Sequence, residues 1–216
     1  MKKILMHTCC APCSVYCIDL LRSEGIEPEL FWYNPNIHPY IEYKTRRDCL
    51  KDYAAQVGAK LILQEEYGLD EFCQNVVDDI AGRCVNYCYP KRIGAVAKFA
   101  KDHGYSAFTT TLLVSPYQKH EELKKVCENA ADYYGVEFLY RDFRVGFREG
   151  QAKARKLGLY MQKYCGCIFS EEDRYQKQIE RDLHRRVVLP EGVPRESRAG
   201  EEAATGPVER KAYVGF

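Results

Sequence analysis

Five short apolar runs take turns with stretches of helical spacing along this chain, and that alternation leaves few folds open. Lys3 to His7, Glu29 to Tyr33, Lys60 to Gln64, Ala107 to Val114 and Val136 to Tyr140 read as strands. Between and after them, 14–24, 40–57, 69–80, 90–103, 121–134, 149–157 and 170–186 read as helices. The punctuation agrees: Gly25 and Gly58 end helices, Asn34-Pro35-Asn36 stops a strand, and Pro90 opens a helix at its first turn, where no hydrogen bond is lost. Parallel strands need a crossover helix, so the pattern predicts an α/β fold whose parallel sheet is covered on both faces. Ligands in such sheets bind beyond the carboxyl ends of the strands. Those ends carry Cys9-Cys10, Asn34 to His38, Ser115-Pro116-Tyr117 and Asp142-Phe143-Arg144.

The 216 residues suit one α/β body, read as a single metal-binding catalytic domain over 1–186, followed by a flexible tail over 187–216. Residues 190–210 collect three prolines and three glycines among many charges, and offer little apolar surface to offset ordering. No apolar run approaches the ~18 residues of a membrane-spanning helix, and the first residues carry too short an apolar stretch for a secretion signal. A cytoplasmic, reducing setting is therefore expected. The formal charge is +1, so only local clustering of cations argues for nucleic acid.

Eleven cysteines are many for such a setting, where disulfides are rare, and an odd number cannot all pair within one chain. Seven fall in three short motifs: Cys9-Cys10-Ala11-Pro12-Cys13, Cys84-Val85-Asn86-Tyr87-Cys88 and Cys165-Gly166-Cys167. Thiolates two to four residues apart can reach one soft metal centre. Seven exceed one tetrahedral site, which favours an iron–sulfur cluster with a second thiolate-bound metal beside it. Cys49, Cys73 and Cys127, single residues within helices, read as small apolar groups. Cys17, one turn after Cys13, also reads as packing, although it shares that helix face.

Five stretches together resemble the QueH-type epoxyqueuosine reductases. They are 7–14 (His-Thr-Cys-Cys-Ala-Pro-Cys-Ser), 33–39 (Tyr-Asn-Pro-Asn-Ile-His-Pro) with Glu42-Tyr43, 109–117 (Thr-Thr-Thr-Leu-Leu-Val-Ser-Pro-Tyr), Asp142-Phe143-Arg144, and 164–170 (Tyr-Cys-Gly-Cys-Ile-Phe-Ser). The resemblance spans about Met1 to Lys177. It implies a HUP-like (adenine-nucleotide alpha-hydrolase-like) three-layer core with an additional C-terminal helical region. It implies reduction of epoxyqueuosine to queuosine at the wobble position of tRNA, with a [4Fe-4S] cluster and a neighbouring mononuclear iron or other divalent metal. All seven motif cysteines are expected as metal ligands, with Cys9, Cys10, Cys84 and Cys88 at the cluster and Cys13 at the second metal. The middle pair is spaced Cys-x3-Cys, where Cys-x2-Cys is expected in many relatives.

Removing an epoxide oxygen as water takes two electrons and two protons. The electrons are expected through the cluster from an external donor whose identity, like the oligomeric state, is not written in the sequence. Proton donors are sought on the same rim: His38, Tyr40, Tyr117 and Asp142, against the plainer readings of a turn histidine, packed tyrosines and an Asp142–Arg144 ion pair. For the anticodon of tRNA carrying epoxyqueuosine, three basic groups stand out. Lys44, Arg46 and Arg47 form one; Arg141, Arg144, Arg148, Lys153, Arg155 and Lys156 a second; Arg174, Lys177, Arg181, Arg185 and Arg186 a third. Arg46, Arg47, Arg144, Arg148, Lys153 and Arg155 are the expected contacts, although charge runs are usually solvated faces. Two other readings stay open: an ATP-dependent, thiolase-like tRNA-modifying enzyme on the same fold, and a zinc-stabilised RNA-binding module. The first would want a glycine-rich phosphate loop after the first strand, where this chain has thiols; the second accounts for four cysteines, not seven.

Overall fold

The computed structural model describes residues 3–184, so the expected tail and the domain boundary at 186 lie outside the described residues. Two compact units are distinguished, Met1–Lys177 and Gln178–Phe216, and the sheet and all motif cysteines belong to the first. Its five strands are β1 (Ile4–His7), β2 (Pro28–Trp32), β3 (Leu61–Leu63), β4 (Ala107–Thr110) and β5 (Glu137–Phe138). All pair in parallel, in the order β3-β2-β1-β4-β5. The helices are α1 (Ala11–Ser23), α2 (Tyr40–Val57), α3 (Leu69–Val76), α4 (Tyr89–Asp102), α5 (His120–Tyr134), α6 (Phe147–Lys156) and α7 (Ile168–His184). α1 packs on α2 and α6, while α4 packs on α5, giving the expected layers around the sheet. No described helix is long and apolar enough to cross a membrane.

Apolar content explains the centre. β1, β2 and β4 bury Leu5, Met6, Phe31, Trp32 and Phe108 completely, each worth roughly 1.5–3 kcal/mol over exposure. α2 and α5 stop at Gly58 and Gly135, both left-handed, a conformation that costs a side chain dearly. The chain steps from β1 to β2 to β3 on one side, then returns through α4 to place β4 on the other. β1 and β4 therefore straddle the switch in strand order, where a crevice opens at the carboxyl ends.

Three expected boundaries move, each with a cause. The fourth strand stops at Thr110 rather than Val114, because the Thr110 hydroxyl accepts the Leu112 N–H and starts a 3-10 turn over Thr111–Val114. The first helix begins at Ala11, not Ser14, since Pro12 suits a first turn, so Cys10 and Cys13 belong to a helix start and not a free loop. Cys84–Cys88 forms one π-helical turn running straight into α4, again not a loop.

Candidate metal centre

At the switch point, Cys9 follows β1, Cys10 caps α1, and Cys13 lies in its first turn. Their sulfurs all lie within 4.8 Å of one another, and all three residues are buried. The turn after β4 fixes the arrangement from across the switch: the Cys9 N–H donates to Thr111 Oγ1 at 3.1 Å, and that hydroxyl points back at Cys9 Sγ at 3.4 Å. Gln162, between α6 and α7, donates its amide to Cys10 Sγ at 2.9 Å and reaches Cys13 Sγ at 3.6 Å. The Gln162 Oε1 is buried without a partner. Beneath them His7 spans two strands' ends, its Nε2–H donating to the Tyr33 carbonyl at 3.2 Å and its Nδ1 accepting from the Thr110 hydroxyl at 2.9 Å. The Asn34 amide donates to the Thr8 carbonyl, tying the Asn34-Pro35-Asn36 turn to the same floor.

Electrostatics divides the triad. Hydrogen bonds from Cys10 and Cys13, with Thr111 and against burial, hold the Cys9 thiol well below its ordinary value. Burial pushes Cys10 up, and its bonds to Cys10 and Cys9 push Cys13 up. The three sulfurs, gathered at the start of a helix, make a preorganised soft donor set. A tetrahedral ion with sulfur at ~2.3 Å places its ligands about 3.8 Å apart. Cys9 and Cys10 sulfurs are 3.8 Å apart, so the triad fits a single ion.

The other four motif cysteines make a second, wider group. Cys84 and Cys88 stand four residues apart on the π turn, on one side of it, which makes the Cys-x3-Cys spacing serviceable. Their thiols feel those of Cys165 and Cys167; burial raises both, Cys88 to about 12. Cys88 and Cys167 share a buried cluster with Phe72, Val76 and Tyr87. Among the described residues, no three of these four sulfurs form a group within 4.8 Å as the triad does. No described set at that range joins Cys9 or Cys10 to Cys84 or Cys88; at that range Cys9 and Cys10 group with Cys13, brought there by the start of α1. Cys17 stays out of the triad, donating to the Cys13 carbonyl at 3.3 Å.

The loop carrying Cys165-Gly166-Cys167 is held by a buried guanidinium. Arg46 donates to the carbonyls of Cys165 (2.8 Å) and Tyr164 (2.9 Å) and pairs with Glu42 (2.6 Å). The His38 N–H meets the Gly166 carbonyl, and a Cβ on Gly166 would stand 3.2 Å from Ile37. Gln118 bridges outward, accepting from the Tyr89 hydroxyl and donating to Cys165 Sγ at 3.4 Å.

The rim candidates fare unevenly. Arg144 forks onto the Asp142 carboxylate and holds it down to about 2, which favours the plainer ion-pair reading of that residue. His38 is sealed between Tyr67 and Phe72 with neither ring nitrogen hydrogen-bonded, and burial lowers it to about 4. Tyr40 is half-exposed and stacked on Tyr43, and Tyr117 is 85 % exposed, its ring meeting Phe147 edge-on. Among the expected tRNA contacts, Arg46 is corrected outright, being buried. Arg47 is committed to Asp48 and Glu65, Arg144 to Asp142, and Lys153 to Asp19. Arg148 and Arg155 are exposed and have no ion pair among the described residues. Thr111 lies in the marked 109–117 stretch but nothing there gives it a role, and Gln162 and Gln118 carry no mark in the sequence; nothing local shows that a neutral side chain meets a cysteine 47 to 152 residues away.

His7 and His38 give the metal-free chain an acid sensitivity. Both are lowered to about 4, burial being the main cause, so between pH ~6.5 and ~4 the unfolded chain binds protons that the folded one does not. Stability is then complete above about pH 6.5 and falls on acidification, by up to about 1.4 kcal/mol per pH unit for each histidine. Urea melts of the metal-free protein at pH 6.5 and 4.5 should show the loss, and flat midpoints would contradict it.

The family described as Epoxyqueuosine reductase QueH matches residues 4–173. The chain is 37% identical over 175 residues to Epoxyqueuosine reductase QueH of Dehalococcoides mccartyi, covering 81% of this chain and 96% of that protein. It is 32% identical over 193 residues to the QueH of Thermotoga maritima, covering 83% and 96%. A third relative, from Staphylococcus epidermidis, is 29% identical over 195 residues, covering 83% and 82%.

Proposed function

The chain belongs to the epoxyqueuosine reductase QueH family, and from that premise we propose that it removes the epoxide oxygen of epoxyqueuosine in the anticodon of tRNA, giving queuosine and water. The observation that carries the reading is the buried Cys9–Cys10–Cys13 triad, with four further motif cysteines, Cys84, Cys88, Cys165 and Cys167, left over for a second group. Cys84, Cys88, Cys165 and Cys167 would hold the [4Fe-4S] cluster, and Cys9, Cys10 and Cys13 the mononuclear iron or other divalent metal. When bound, the two groups supply single electrons and a Lewis acid respectively. The chain's own residues supply the frame. Thr111 and Gln162 aim a hydroxyl and an amide at the triad, so neutral donors surround the site without competing anions. Arg46 fixes the loop of Cys165 and Cys167, and Gln118 keeps Cys165 turned towards the rim. Tyr117, outermost, offers a free aromatic face on which an unstacked anticodon base can rest.

The ATP-dependent reading is not favoured: the turn after β1 fills the phosphate position with buried thiols. The zinc-module reading leaves the quartet or the triad without purpose. Anaerobic reconstitution with iron and sulfide, followed by assay on tRNA carrying epoxyqueuosine, tests the proposal; the product nucleoside should be lighter by one oxygen atom. A reconstituted protein that leaves the epoxide intact with a strong chemical reductant present would end it.

For tRNA, the free cations matter. Arg148→Ala and Arg155→Ala should each weaken binding and reduce the salt slope by roughly one counter-ion, with the metal content unchanged. Lys153→Ala should do less, because Lys153 is engaged by Asp19 at 2.5 Å. Binding measured across a salt series distinguishes them, and equal slopes for all three would remove this face from the interface.

A further inference from the structure

Among the described residues two arginines are buried, Arg46 and Arg92. Arg46 has Glu42 against it. Arg92, 3 % exposed on α4, has no carboxylate partner; its Nε donates to the Cys88 carbonyl at 2.9 Å, one helical turn back. That bond does not explain it, since Cys88 precedes the first turn of α4 and its carbonyl already accepts a helical hydrogen bond. A buried cation without a counter-charge is strongly unfavourable, so something anionic must face it in the working protein. The Arg92 charge bears on Cys84 and Cys88 along its own segment, and on His7 across at the end of β1. With its Nε on the Cys88 carbonyl, it stands beside the Cys84–Cys88 turn.

We infer that Arg92 is the built-in counter-charge of the iron–sulfur group, a fixed cation that favours the reduced, more negative state and so raises the potential at which the group accepts an electron. The inference rests on the quartet reading. Cluster potentials respond to nearby net charge and to burial, and a guanidinium keeps its charge at any working pH. Placed on a helix beside Cys88, it acts without occupying a ligand position, as a tuning and positioning residue.

The test uses the full chain with Arg92→Met and Arg92→Gln, which remove the charge, and Arg92→Lys, which keeps one. Two quantities are measured: the melting temperature of the metal-free protein, and the midpoint potential of the reconstituted cluster by anaerobic redox titration. Without metal, the charge-free variants should melt no lower than wild type, since they lose an unbalanced charge. Once loaded to the same iron content, they should titrate at more negative potentials, with Arg92→Lys nearer to wild type. Charge-free chains that fold but take up no cluster, while Arg92→Lys does, support the inference equally. Potentials equal across all variants overturn the inference, as do charge-free chains that misfold or melt well below wild type, which would make Arg92 a structural clamp. Failure of both the charge-free and the lysine chains to load would assign the role to shape and overturn it too. If wild type itself loads no cluster, the quartet reading falls, and the metal-free melts still decide whether the charge is unbalanced.

Discussion

Cys84→Ser should bleach the protein, whereas Cys13→Ser should leave its colour and abolish its activity. A cubane held by cysteines absorbs broadly near ~400 nm, and serine, whose hydroxyl stays protonated, is a poor replacement for a thiolate. Cys84 belongs to the four cysteines proposed to hold the cluster, which form no group at single-ion range among the described residues. Cys13 belongs to the triad, where the Cys9–Cys10 separation of 3.8 Å matches the edge of a single tetrahedral site. If the triad holds the proposed single ion, removing one of its ligands should take away one metal equivalent and the several kcal/mol of Lewis-acid assistance it would give, about a thousandfold in rate, with the chromophore intact. Iron counts, absorbance and single-turnover assays on the two variants separate the effects. If Cys13→Ser and Cys84→Ser both bleach, the seven ligands form one indivisible centre and the partition is wrong.

That partition is not legible in the sequence, although its members are. Motif spacing marks Cys9, Cys10, Cys13, Cys84, Cys88, Cys165 and Cys167, and strand–helix alternation gives the parallel sheet whose carboxyl ends collect chemistry. Which thiol joins which depends on where the helices start. Pro12 lets α1 begin three residues earlier than its apolar spacing suggests, and that turn draws Cys13 towards Cys9 and Cys10. Thr111 sits in a run of β-branched and apolar residues that reads as strand; its role depends on the chain turning at Thr110 to satisfy Leu112. Asp142 and Arg144 can be paired from their spacing alone, and the structure pairs them. The Lys153–Asp19 pair and the second partner of Arg47, Glu65, cannot, because they are 134 and 18 residues apart in the chain. Local spacing thus identifies the chemistry, and the sheet decides its grouping.

Arg46 shows the same limit at its most costly, and its substitution should be the most destabilising of the charged residues in the body. In sequence it stands in a basic cluster beside Arg47 and looks like a phosphate contact. In the fold its side chain is 1 % exposed, paired with a Glu42 that is itself 11 % exposed and also receives the Tyr160 hydroxyl at 2.6 Å. Two further N–H groups close on the carbonyls of Tyr164 and Cys165. Arg46→Ala leaves the Glu42 carboxylate buried without its cation and releases that loop, a loss of roughly 3–5 kcal/mol. Arg46→Lys should recover little of it, because an ammonium cannot fork across a carboxylate and two carbonyls from one position. Arg47→Ala, removing a more accessible pair, should cost about 1 kcal/mol or less. Urea unfolding of the three metal-free variants reads these differences directly, while the loop's release predicts that Arg46→Ala also loads less iron than Arg47→Ala. Equal stability for the alanine variants, with Arg46→Ala weakened only in tRNA binding, would return Arg46 to the surface role its neighbours in sequence suggest.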